Sequence, residues 1–304
     1  MRVAVILNGV SRKKALFYRH VYPGLARAAE VEVWETRGSG HATELARQAA
    51  EQAFEVVLAA GGDGNLHQVL NGLHTATLPP PILGVVPLGT GNDFARLMHA
   101  RLRAVDWAQC LQAPPQHVDI GQIRFGESLN ETRYFINACS VGLGPEVVHR
   151  LAASNRALGP FITYFLAIAQ TFLSHRPQPL TLTTDRAIWS GNMRVAAVAN
   201  GQSFGNQIYV APNASVVDGC FNIFVAGQVT LTDFLRYLTR LKNKKEVRDP
   251  RLHYSMATFV RLESSEPLWL EAEGELVGQL PAEITVLPAA QRFLKVIGLP
   301  EKSA

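Results

Sequence analysis

The chain has 304 residues, 47 % hydrophobic and 18 % charged, a composition that supplies a generous core and suits two domains. Its 29 Lys and Arg against 25 Asp and Glu give a net charge of +4, mildly basic and too weak to argue for a nucleic-acid partner. Cys110, Cys139 and Cys220 stand far apart without C-x-x-C spacing, which fits neither a disulfide framework nor a zinc site and suggests a reducing compartment.

The first residues carry an apolar run too short for a signal peptide, and 3–7 reads as a strand. Residues 16–29 have helical spacing, 31–35 is a strand, and 42–53 is an Ala-rich helix. Residues 55–60 and 82–86 are strands, each followed by a glycine-bearing loop. This alternation predicts an α/β domain over 1–118, built on a mostly parallel sheet whose ligands sit at the carboxyl ends of the strands. From His117 onward the pattern is β-rich, with strands at 118–125, 134–141, 180–184, 194–200, 221–225, 256–262, 268–273 and 284–287. Two helical stretches interrupt it, 145–172, broken near Gly159-Pro160, and 231–241. The expectation is an antiparallel β sandwich over 119–289, with a boundary near Pro114-Pro115, and a strand at 293–297 that returns to the first domain within 290–304. The longest apolar segment, 161–173, falls short of the roughly 20 residues of a membrane span, which points to a cytoplasmic protein, peripheral to a membrane at most.

The most informative stretch is Gly61-Gly62-Asp63-Gly64-Asn65, followed by the helix-patterned Leu66, His67 and beyond. A strand that ends in glycines and hands over to a helix gathers backbone N–H groups and a helix N-terminus at one point, an arrangement that suits phosphate. The acid within the run suggests a divalent cation beside that phosphate. Taken alone, the stretch is equally readable as a turn whose Asp63 caps the next helix. Gly89-Thr90-Gly91-Asn92-Asp93 repeats the design after the next strand, and two such loops at adjacent strand ends would form one cradle. Thr36, Gly38, Gly40 and His41 lie in a third strand-to-helix loop, and Asn8 ends the first strand; each alone reads as an ordinary βα connection. No G-x-x-x-x-G-K-[ST], no G-x-G-x-x-G after a strand and no protein-kinase motif is present.

Together these loops resemble the catalytic domain of the diacylglycerol/sphingosine kinase family, in particular its soluble bacterial lipid kinases. The resemblance runs nearly end to end: Ala211 to Gly219 is similar to the family's second-domain motif, and Glu271-Ala272-Glu273-Gly274-Glu275 stands at its acidic motif. It implies ATP-dependent phosphorylation of a lipid hydroxyl, with nucleotide in a cleft between an α/β and a β-rich domain. It assigns Asn8, Thr36, the 61–67 segment and the 89–93 loop to ATP. It makes the loop around Asp218 a Mg2+ site using the backbone carbonyls of Ser215 and Cys220. The base that takes the hydroxyl proton is then Glu275 or Glu273, which share a face if the segment is extended.

The chain departs from the family pattern at Gly9 (usually Pro), Asn65 (usually Thr) and Glu273 (usually Asp). The longer Glu273 side chain shifts the base assignment towards Glu275. A basic stretch over 236–248 follows an apolar-faced helix and offers peripheral contact with an anionic lipid surface, where a solvated helix face is the simpler reading. The lipid is open among diacylglycerol, phosphatidylglycerol and a sphingoid base, and a homodimer is an open assembly. Two other functions stay open: a NAD kinase-like small-molecule kinase, and a nucleotide-binding regulator without turnover.

Overall fold

The computed structural model describes residues 1–154 and 159–299. The chain divides into two compact units, the first holding Met1–Val118 and the chain from Ala289 onward, the second Asp119–Pro288.

The first unit opens with β1 (Arg2–Leu7), whose apolar run is buried on both faces, as a central parallel strand requires. The region expected as one helix over 16–29 is two short helices, α1 (Lys14–His20) and α2 (Tyr22–Ala28). Pro23 is the reason: it has no N–H for the carbonyl four residues back, and its ring collides with that carbonyl. After β2 (Glu30–Glu35), α3 (His41–Glu51) buries Ala42, Ala46, Ala49 and Ala50, one helical face. β3 (Val56–Gly61) is wholly buried and leads into α4 (Asp63–His74). Gly72 lets α4 lie against α3, since a Cβ there would meet the Thr43 carbonyl oxygen at 2.2 Å. β4 (Ile82–Pro87), the short α5 (Asp93–Leu97) and α6 (Trp107–Gln112), capped by Asp106 and unforeseen in the sequence, follow. The strands pair in parallel in the order β2-β1-β3-β4. Near the chain's end, Phe293 pairs in parallel with Leu83 of β4.

The second unit is antiparallel. Its strands are β5 (Gln116–Phe125, which enters from the first unit), β6 (Glu131–Phe135), β7 (Ala138–Gly142), β8 (Gln178–Thr184), β9 (Ile188–Met193), β10 (Val195–Ala199), β11 (Phe221–Ala226), β12 (Leu252–Ala257), β13 (Phe259–Glu263), β14 (Trp269–Ala272), β15 (Glu275–Gln279) and β16 (Ala282–Phe293, which leaves it). One sheet runs β12-β11-β10-β7-β14-β15; the other joins β16-β13-β8-β9, with β5 beside β16 and β6 beside β5. Between them lies a core that includes Phe135, Val141, Leu182, Phe221, Val260 and Leu270. The expected classes, a parallel α/β domain and a β sandwich, are both present. The strand expected at 134–141 is split at Ile136-Asn137, and that expected at 256–262 is split at Thr258. The helical stretch over 145–172 appears as α7 (Leu143–Ala153) and α8 (Pro160–Ser174); the intervening 155–158 lie outside the described residues, as do 300–304 of the expected returning segment. The final helix, α9 (Leu231–Lys242), starts at a capping box of Thr230 and Asp233.

Candidate active site

In the first unit the two glycine loops are in backbone contact. Gly61 pairs with Pro87 across β3 and β4, and its carbonyl accepts the N–H groups of Leu88 at 2.8 Å and Gly89 at 3.1 Å. A Cβ on Gly89 would sit 2.4 Å from the Cα of Gly62, so only a pair of glycines permits this approach. Gly62 is the N-cap of α4, and no side chain caps that end, which leaves the positive pole of the helix to a ligand. Asp63 and Asp93, first residues of α4 and α5, both face Gly91: a Cβ there would lie 2.9 Å from Asp63 Oδ2 and 3.6 Å from Asp93 Oδ2. Thr90, at the tip, is exposed.

Other expected nucleotide contacts turn inward. Asn65 folds back over Gly61 and donates from Nδ2 to the Ile6 carbonyl at 3.2 Å. Asn92, at φ +52, accepts the Gly89 N–H at 2.9 Å and donates back to the Gly89 carbonyl at 3.0 Å, so it shapes the loop from within. Thr36 is buried, and its hydroxyl accepts the Gly9 N–H at 3.2 Å. Leu66 and His67 are buried in α4. Gly64 lies in the first turn of α4, beside Asp63. Asn8 donates its N–H to Ala60, while its Oδ1 is buried without a hydrogen-bond partner among the described residues. Lys13, which the sequence reading passed over, reaches the loop and donates from Nζ to the Gly89 carbonyl at 2.9 Å; Arg96 donates to the Gly91 carbonyl.

In the second unit the acidic motif is a tight hairpin. The extended reading of Glu273 and Glu275 is corrected: Glu273 (φ +56) and Gly274 (φ +83) are the two loop residues, and Ala272 pairs with Glu275. Positive φ at both loop residues matches the twist of an antiparallel pair, so the chain reverses here. The three carboxylates therefore have different surroundings. Glu271 is buried; it accepts the Ser140 hydroxyl through Oε1 and the Gly274 N–H through Oε2 at 2.9 Å. Glu273 Oε1 accepts the N–H groups of Ile136 at 2.7 Å and Asn137 at 2.6 Å, which splices the break between β6 and β7. Glu275 opens β15, half-buried at the hairpin's edge. The buried thiol of Cys139 nearby is pushed well above the ordinary thiol range, by burial first and then by Glu271 and Glu273, and stays neutral.

The loop around Asp218 is held by a residue the sequence reading did not name. Asp119, 2 % exposed, accepts the Gly219 N–H through Oδ2 at 2.7 Å, and its own N–H binds the Val216 carbonyl at 2.7 Å. Its signal in the sequence is an acid inside the apolar run Val118-Asp119-Ile120. Asp218 Oδ1 accepts the Cys220 N–H at 3.1 Å. The wholly buried Asn200 links this loop to the acidic hairpin: its Nδ2 donates to the carbonyls of Asp119 at 2.8 Å and Ile136 at 2.7 Å. Its Oδ1 is buried with no partner among the described residues. No group of three or more His, Cys, Asp or Glu poised for a metal occurs among the described residues, so a cation here would need backbone carbonyls.

Glycine loops at parallel strand ends in one unit, and an acidic hairpin beside an Asp-Gly loop in a β sandwich, define a phosphate-handling two-unit protein. Residues 2–123 match the model of the diacylglycerol kinase catalytic domain, and 138–296 match that of the YegS C-terminal NAD kinase beta sandwich-like domain. The chain belongs to the family of bacterial diacylglycerol kinases that carry these two domains. It is similar to the diacylglycerol kinase of Bacillus subtilis, at 29 % identity over 99 % of this chain and 98 % of that protein. The diacylglycerol kinase of Staphylococcus carnosus is 28 % identical over 92 % and 90 %. A solved structure of a diacylglycerol kinase from Bacillus anthracis superposes with a TM-score of 0.72 at 20 % identity, covering 97 % of this chain and 96 % of that one, a likeness of fold.

Proposed function

We propose that the protein is an ATP- and magnesium-dependent lipid kinase that phosphorylates a hydroxyl of diacylglycerol or of a related lipid such as phosphatidylglycerol or a sphingoid base. The observation that carries this reading is the backbone contact of the two glycine loops, with Asp63 and Asp93 facing their common edge. A polyphosphate needs close backbone approach, an uncapped helix N-terminus and nearby acids for its counter-ion, and all three belong to this one cradle. The orphan acceptor Oδ1 of Asn8, at the end of the neighbouring strand, suits an amino or hydroxyl group of the nucleotide.

Magnesium would draw on oxygen donors: Asp63 and Asp93 beside the phosphates, and Asp218 with the carbonyls of Ser215 and Cys220 in the second unit. Oxygen fits a hard cation; the thiol of Cys220 does not, so that residue would serve through its backbone. When bound, the ion neutralises phosphate charge. Glu275 is the proposed base, because Glu273 Oε1 is committed to two backbone N–H groups and Glu271 is buried on Ser140 and Gly274. Glu275 takes the proton of the lipid hydroxyl as its oxygen bonds to the γ-phosphorus; the bond from that phosphorus to the bridging oxygen breaks, and ADP leaves. The experiment offers γ-labelled ATP and a total lipid extract to the purified protein, with mass analysis of the product. The expected result is one labelled lipid class, with labelling down by about 100-fold or more in Glu275→Gln. Label in NADP alone, or full activity in Glu275→Gln, would overturn the assignment.

A further inference from the structure

At the carboxyl end of β2 an acid is fixed at both oxygens by two donors from one helix. Glu35 is the last residue of β2, and its side chain is 36 % exposed. Its Oε2 accepts Lys14 Nζ at 2.9 Å, and its Oε1 accepts the Tyr18 hydroxyl at 2.8 Å. Lys14 and Tyr18 stand four residues apart, neighbours on one face of α1. Lys14 first and Tyr18 second hold the Glu35 carboxyl below the usual carboxylate range. Burial, and then the bond to Glu35, push the Tyr18 hydroxyl up to about 12, so it stays a neutral donor. The result is an ionised acceptor whose charge Lys14 balances, with a second lone pair on each oxygen free among the described residues. Exposed ion pairs contribute little to stability, so the fold alone does not account for so fixed an acid. Gly9, just beyond β1, lies directly against it: a Cβ there would meet the Thr36 carbonyl oxygen at 2.4 Å and Glu35 Oε2 at 3.4 Å.

The sheet places this acid in line with the phosphate cradle. In the order β2-β1-β3-β4 the glycine loops follow β3 and β4, Asn8 and Gly9 follow β1, and Glu35 ends β2. The crevice at the carboxyl ends of such a sheet opens where the strand order reverses, here between β1 and β3. Neighbouring strands are about 4.8 Å apart, so the three steps from β4 to β2 cover about 14 Å, the reach of a triphosphate and its ribose laid across the strand ends. The phosphates belong at the uncapped start of α4; Asn8 comes next with its orphan acceptor, and Glu35 after it. With Lys14 as its counter-ion Glu35 needs no metal, and as a carboxylate it repels phosphate; what it can do is accept hydroxyls. By analogy, dinucleotide-binding sheets use an acid beyond the first strand to accept a ribose hydroxyl. Tyr18, 40 % exposed and bonded to Glu35, adds aromatic surface for the base that follows the ribose. We infer that Glu35, held by Lys14 and Tyr18, accepts the ribose hydroxyls of the nucleotide and so selects ribonucleotides over their deoxy counterparts. The inference rests on the reading of the first unit as an ATP site, and its test separates the two.

The test is calorimetric titration of the full chain with ATP and with 2′,3′-dideoxy-ATP, both as magnesium complexes. The wild type is expected to bind ATP at least about tenfold more tightly, the size of a hydrogen bond to a charged acceptor. Glu35→Ala should bind ATP about tenfold more weakly and dideoxy-ATP as the wild type does, so that the preference vanishes. A merely structural role would instead weaken both nucleotides alike. If Glu35→Ala does not fold, Glu35→Gln takes its place; a neutral amide is about half as strong an acceptor, and the preference should fall to about threefold. Wild-type protein that binds the two nucleotides equally, a variant that keeps the full preference, or one that loses both nucleotides alike would overturn the inference and leave the kinase reading in place. Wild-type protein that binds neither nucleotide would remove the ATP reading and the inference with it.

Discussion

Single positions in the glycine loops separate those that carry the cradle from those that only resemble it. Gly89 and Gly38 both read as loop glycines in the sequence, but their surroundings differ. A Cβ on Gly89 meets the Gly62 backbone at 2.4 Å and the Asn92 side chain at 2.6 Å, whereas a Cβ on Gly38 meets nothing within 4 Å. Gly89→Ala is therefore expected to lose about 1–3 kcal/mol of stability and most ATP binding, because the loops must separate. Gly38→Ala is expected to change neither; thermal melting and calorimetric titration with ATP check both, and equal behaviour of the two variants would refute the argument. The glycine loops were legible in the sequence because glycine at a strand end has few other uses. The inward turn of Asn65, Thr36 and Asn92 was not, because two of the three bond to backbone at remote positions: Asn65 to Ile6, 59 residues away, and Thr36 to Gly9, 27 away. Asn65 differs from the family's usual residue, yet its amide is employed inside the fold.

Among the elements, the acidic hairpin shows most clearly how one turn distributes three like residues. Strand periodicity placed Glu273 and Glu275 on one face, but the register Ala272–Glu275 leaves Glu273 in the loop at positive φ. The turn was hard to read because Glu-Gly is a weak relative of the Asp-Gly and Asn-Gly pairs that announce such a hairpin. The long Glu273 side chain is used: it reaches two N–H groups at the β6–β7 break, a break that sequence alone read as one continuous strand. Ile136 and Asn137 are both buried, so removing the carboxylate strands two backbone donors. Glu273→Ala is expected to lower the free energy of unfolding by about 1–3 kcal/mol, read from urea denaturation. Glu273→Gln, which keeps an acceptor oxygen, should lose less and retain lipid labelling. Glu275→Gln should melt like the wild type and lose labelling. If Glu273→Gln is the variant that loses turnover at unchanged stability, the base is Glu273 and the division of labour is reversed.

Over the whole molecule, βα alternation and the later strand runs made both classes of unit legible. Asp119 showed only as an acid inside an apolar run and Asn200 carried no local pattern, because what both bind lies far away in sequence. The same long-range burial sets the response to acid. His74, half-buried at the end of α4, has its pKa held below the ordinary 6.5 by burial, partly offset by its hydrogen bond to Gln291. Gln291 donates through Nε2 to the carbonyls of Pro81 and Arg292, so its Oε1 accepts from His74 Nε2–H, a bond that the ring makes in either protonation state; burial is what favours the neutral one. In the second unit burial likewise lowers His175. For both, the unfolded chain binds a proton more readily than the fold does. Their contribution to stability is thus complete above the unfolded value and is lost as pH falls from 6.5 through the lowered folded values. Asp233 and Asp249, held below the usual carboxylate range chiefly by Arg251, follow in a lower window, starting near pH 4, where their protonation frees Arg251 and loosens the capping box of α9. Melting followed from neutral pH downward should show a first decline below about pH 6.5. His74→Gln with His175→Gln should flatten that first decline and leave the lower one unchanged, because Gln at 74 still donates to Gln291 without titrating. An equal first decline in this double variant would mean that other groups set the acid response.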